Sequence, residues 1–72
     1  PPHITNDLVD ELTKKGPDTL FIAMGKKKRL VFSPKAIKYL KKKRITARLL
    51  PVRQAVKAYN ACEERKAVFF YL

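Results

Sequence analysis

Seventy-two residues make one domain at most, and a domain of this size buries only about 60% of the surface its unfolded chain exposes, so its core must be thin. Hydrophobic residues form 46% of the chain and charged residues 32%, too apolar for a disordered tail, while no run approaches the ~18 apolar residues of a membrane-spanning helix. The formal net charge is +11, from 17 Lys and Arg against 6 Asp and Glu, a balance that folding does not require and that a polyanionic partner would relieve.

The chain opens at Pro1 with no Met and no secretory pattern, which leaves room for a removed targeting peptide. His3, beside two prolines, is expected at a solvated end. Thr5 or Asn6 can cap a first helix running to about Lys15, with Leu8, Val9 and Leu12 on its apolar stripe. Asp10 with Lys14 and Glu11 with Lys15 stand at the i,i+4 spacing, and Gly16 and Pro17 stop the helix. Thr19 to Met24 is a continuous apolar run and reads as a strand buried on both faces, ended by Gly25. Lys26, Lys27, Lys28 and Arg29 then form an exposed basic loop or ribbon leading into Leu30, Val31 and Phe32.

Ser33 before Pro34 is a cap with proline at the first helical position, and a second helix is expected from Pro34 to about Lys43. Ala36, Ile37 and Leu40 share one face of it, with Lys35, Lys38 and Lys42 on the other. Ile45 to Leu50 alternates as an edge strand does. Val52, Ala55, Val56, Tyr59 and Cys62 give a third amphipathic helix, and Ala67 to Leu72 reads as a second fully buried strand.

Strands separated by helices of this length imply parallel pairing through right-handed crossovers. The expected fold is α/β and three-layered: a small parallel sheet of three strands in the order 2-1-3, helices on both faces and an additional N-terminal helix. Such a sheet leaves a raw edge along Phe69, Phe70, Tyr71 and Leu72, where a protein partner or more chain is expected to pack. Without that cover the isolated domain is not expected to be a well-behaved monomer.

Between Thr19 and Cys62 there is no acid, yet the stretch holds Lys26, Lys27, Lys28, Arg29, Lys35, Lys38, Lys41, Lys42, Lys43, Arg44, Arg48, Arg53 and Lys57. These are the candidate nucleic-acid-binding residues. A lysine-rich surface without a DNA-reading helix motif suits the phosphate backbone of RNA, and Tyr39 is placed either to stack on a base or to form a half-buried edge of the core. Anionic lipid is another candidate for the same patch. Catalysis finds no footing, because the acids lie at helix ends or near the termini and Cys62 lies on an apolar stripe as an inert thiol. A lone thiol forms no internal disulfide and no zinc spacing. Gly25 alone is a turn glycine, not a phosphate loop. No enzyme activity, cofactor or metal is expected.

Several markers together resemble a known family: Ile22-Ala23-Met24-Gly25, then Phe32-Ser33-Pro34, then Tyr39-Leu40 five residues before Ile45, and above all Ala55-Val56-Lys57-Ala58-Tyr59-Asn60 ahead of an Arg and an apolar last strand. From Pro17 to Leu72 the chain resembles the later two-thirds of a domain shared by uncharacterised archaeal and bacterial proteins and the third mitochondrial complex I assembly factor. The resemblance implies one domain over 1–72 lacking the family's N-terminal β-rich segment, a mitochondrial setting and a non-enzymatic role in building a complex. Ala23 stands where the family usually has a second glycine, and Arg48 and Pro51 stand about where it has acids, so a ligand read by those positions is not carried over. Charge and resemblance together lead to the expectation of an RNA-contacting subunit or accessory factor of a mitochondrial ribonucleoprotein such as the mitoribosome, with ribosomal RNA favoured. The alternative is a complex I assembly factor acting as a protein-binding chaperone.

Overall fold

The computed structural model describes residues 3–26 and 29–72. In chain order they form β1 (His3–Ile4), α1 (Asn6–Leu12), β2 (Thr19–Met24), β3 (Val31–Phe32), α2 (Pro34–Lys43), β4 (Thr46–Pro51), α3 (Val52–Ala61) and β5 (Lys66–Tyr71). The domain is mixed α/β, but its strands form two parallel sheets where one was expected: β4-β2-β5 and, separately, β1-β3. The small sheet ties the amino-terminal end down. Ile4 is almost fully buried, and Ser33 N–H donates to its carbonyl at 3.0 Å, so the segment before α1 is docked although the His3 side chain stays exposed.

Local chemistry sets the helix ends. Thr5 Oγ1 accepts from Leu8 N–H at 3.3 Å to start α1, which ends at Leu12, three residues earlier than the sequence suggests. There the buried Thr13 hydroxyl donates to the Val9 carbonyl at 2.7 Å, diverting the last turn, and Gly16 turns the chain at φ +70°. The surface ion pair of this helix is Glu11 with Lys14 at 3.0 Å, in place of the two i,i+4 pairs expected. Ser33 Oγ accepts from Ala36 N–H at 3.1 Å to start α2, and Arg44 ends it in the left-handed conformation at φ 57°.

Side chains of β2 alternate between two packed faces. Leu20 and Ile22 meet Ile4, Val9, Leu30, Ala36 and Leu40, the core under α1 and α2. Phe21 points the other way and meets Tyr59 of α3 edge-to-face, with ring centroids 5.9 Å apart. Helices therefore cover both faces of the large sheet, and β2, flanked on both sides, is its most buried strand.

Two expectations near the carboxyl end are corrected. β5 is half-buried along most of its length, because ten-residue α3 is the one helix on that face and packs mainly over β2 and β4. Cys62 is the C-terminal cap residue of α3 and half-buried, and Val56, assigned to the same apolar stripe, is 39% exposed. The same helix end is closed by Lys66, whose Nζ donates to the Tyr59 carbonyl at 2.8 Å and the Cys62 carbonyl at 3.1 Å while lying 4.4 Å from the Tyr59 ring centroid. A cation at the negative end of a helix, satisfying its last carbonyls, is a favourable arrangement that nothing in the local sequence announces.

Candidate nucleic-acid interface

Lys27 and Lys28 lie outside the described residues; every other cation of the acid-free stretch is exposed. Among the described residues the one ion pair is Glu11 with Lys14, so none of these cations is neutralised by a carboxylate. Three elements carry them. Lys35, Lys38, Lys41, Lys42 and Lys43 lie on α2, with Arg44 at its cap, Arg48 on β4, and Arg53 and Lys57 on α3.

These residues do not share one plane. α2 packs on the Leu20 and Ile22 face of the sheet, whereas Arg48, paired in register with Phe21, points to the α3 face. There Arg48 borders a cleft of about 360 Å³ with Phe21, Ala58, Cys62 and Glu64. The seam between the two groups is the free edge of β4, which starts just after Lys41–Arg44 and continues into α3. The Cα trace spans 15 Å along its shortest principal axis and 31 Å along its longest, so cations on the two faces remain within reach of one polyanion bent around that edge.

Part of the lysine run has local work. Lys41, Lys42 and Lys43 occupy the last turn of α2, where positive charge offsets the negative end of the helix dipole, typically by ~0.3–1 kcal/mol each. Tyr39 is half-buried against the core, the second of the two placements the sequence allowed. Its hydroxyl donates to Asp10 Oδ1 at 2.6 Å, tying α2 to α1, and Lys43 Nζ sits 5.8 Å from its ring centroid. That hydrogen bond is the main reason the Tyr39 hydroxyl is held above its ordinary pKa of 10.0, with desolvation and the Asp10 charge adding to it. The neutral phenol is the form that fits, so its contribution to folding is present below pH 10 and is lost as pH rises through the raised value. Ultraviolet titration of tyrosinate should show Tyr39 ionising after Tyr39's signal would in an unfolded chain, and Asp10→Asn should bring that ionisation back down; an unchanged titration would refute the assignment.

The expected protein interface is redistributed. Phe69 and Tyr71 pack against the core under α1 and α2, while Phe70 at 46% exposure and Leu72 at 76% remain open. Among the described residues no three His, Cys, Asp or Glu side chains gather to hold a metal ion, and no helix is long and apolar enough to cross a membrane.

Parallel strands, three helices and a cation-rich surface thus define a small, strongly basic α/β domain. Residues 1–72 match the family described as a protein of unknown function (DUF498/DUF598), and the chain belongs to that family.

Proposed function

We propose that the chain is a non-catalytic, RNA-contacting subunit or accessory factor of a mitochondrial ribonucleoprotein such as the mitoribosome, with ribosomal RNA the favoured partner. The observation that carries this reading is the row of exposed cations on α2, Arg44, Arg48 and α3, with no carboxylate paired to any of them. In solution these charges repel one another, and a phosphate backbone along the β4 edge removes that repulsion while releasing counterions. Lys26 and Arg29, exposed beyond the end of β2, extend the basic surface. The mitochondrial setting rests on the resemblance to the complex I assembly factor. Binding that neutralises about six phosphates of single-stranded RNA should give a log–log salt slope of about −4. A flat salt dependence, or no RNA retained at low salt, would count against it.

A second reading, a complex I assembly factor that chaperones protein, is favoured by the exposed Phe70 and Leu72. It gives weak salt dependence and survives removal of the α2 lysines.

A further inference from the structure

The large sheet has two open edges among the described residues, and their chemistry differs. β4 carries the exposed Arg48, ends in Pro51 and begins beside Lys41–Arg44, the charges and proline with which natural proteins keep an edge strand from pairing. β5 has no such guard: after Lys66 it runs Ala67-Val68-Phe69-Phe70-Tyr71 and on to Leu72 without a charge.

Backbone direction along β5 follows from its ladder. The Arg65 carbonyl accepts from Thr19 N–H and the Tyr71 carbonyl from Gly25 N–H, so residues 65, 67, 69 and 71 turn their peptide groups to β2. By alternation, Lys66, Val68 and Phe70 turn theirs outward. Close approach at the end of this ladder depends on Gly25, where a Cβ would stand 3.1 Å from Leu72 Cα. Beside the start of β5 lies a cleft of about 640 Å³ with Leu12 and Pro17 along it and Lys14, Lys15 and Arg65 at its rim. Arg65 is held there by donating from Nη2 to the Lys15 carbonyl at 3.0 Å; Glu11, the acid of the cleft, is already paired with Lys14.

We propose that the outer edge of β5 accepts an extended peptide of a partner protein as an added strand, with acidic residues of that peptide over Lys15 and Arg65. Outward peptide groups supply the pairing, the exposed Phe70 and Leu72 supply apolar contact, and the cations at one end set the partner's charge. A second copy of this chain is a poor occupant, because each copy carries +11. The surface lies on the sheet edge opposite β4 and does not depend on the RNA reading.

The test uses the full chain, ¹⁵N-labelled, with a synthetic peptide of three Glu followed by alternating Val and Thr, and a control peptide with Lys in place of Glu. Slowed amide exchange at Val68 and Phe70 and at least tenfold preference for the Glu peptide are expected. Lys15→Glu should erase that preference. Val68→Pro should weaken binding at least tenfold without breaking a bond to β2, since the Val68 N–H faces outward. Should that variant fail to fold, Phe70→Lys, at an exposed position, is expected to weaken binding in the same way. Unchanged exchange at Val68 and Phe70 with saturating peptide, equal affinity for both peptides, or a dimer in sedimentation that protects these amides without peptide would each overturn the proposal. Lys41→Gln with Lys42→Gln and Lys43→Gln should leave peptide binding intact, which separates this result from any failure of RNA binding.

Discussion

Phe21→Ala should remove a large part of the domain's stability. Phe21 is only 2% exposed, sits in the middle of the central strand and is the large side chain on the α3 face of β2. Its edge-to-face contact with Tyr59 links that strand to α3, whose own fully buried residue is the small Ala55. Truncating a buried Phe to Ala costs ~3–5 kcal/mol, while a domain of this length has only ~4–11 kcal/mol of total stability. The sheet on one side and α3 on the other leave little freedom to close the cavity. Urea unfolding followed by circular dichroism should show a loss of at least ~3 kcal/mol. Val56→Ala on the same helix, at a 39% exposed position, should cost well under half as much. Equal effects at the two positions would mean that α3 is not anchored through Phe21.

The contrast between these sites also shows how far the sequence could be read. The bounds of α2 were legible, because Ser33-Pro34 fixes its start and Ala36 and Leu40 mark its buried face, but Ile37, assigned to that face, is 44% exposed. β2 was legible as a continuous apolar run and is buried on both faces, as a central parallel strand must be. The same rule misread β5, whose composition is equally apolar. What differs is the neighbourhood: among the described residues β5 has a strand on one side alone, and one short helix covers its second face. Composition does not encode the number of covering elements.

β1 and β3 escaped for another reason. Two-residue strands have no period, and His3–Ile4 acquires its meaning only by pairing with Val31–Phe32 across α1 and β2. Lys66 as the clasp on the end of α3, and Tyr39 bonded to Asp10 over a separation of 29 residues, are likewise tertiary facts. The division of the basic stretch was readable in part. Crossover helices on opposite faces already imply that the α2 lysines and the α3 cations cannot form one flat patch. The alternation of Arg48 with Ala47 and Leu49 places its side chain on the α3 side.

That division shapes the variant expected to affect RNA binding most. Lys41, Lys42 and Lys43 sit where α2 hands over to the β4 edge, between the other α2 lysines and Arg48 along the chain. Replacing all three by Glu abolishes RNA binding under the proposed function, but it also sets acids at the negative end of α2 and should cost stability on the order of 2 kcal/mol. Replacing them by Gln is the cleaner experiment, because Gln matches Lys in helix propensity and removes charge without reversing it. Arg44 is best left intact, since it ends the helix at φ 57°. Three lost phosphate contacts at a slope of about 0.7 each bring the salt slope from about −4 to about −2, and at 0.15 M salt this weakens binding on the order of 50-fold. Fluorescence anisotropy with a labelled RNA across a salt series measures both quantities, and circular dichroism confirms that the helix persists. A folded triple-Gln variant that binds RNA with its slope unchanged would place the end of α2 outside the RNA path, leaving Arg48, Arg53 and Lys57 on the α3 face as the surface to pursue.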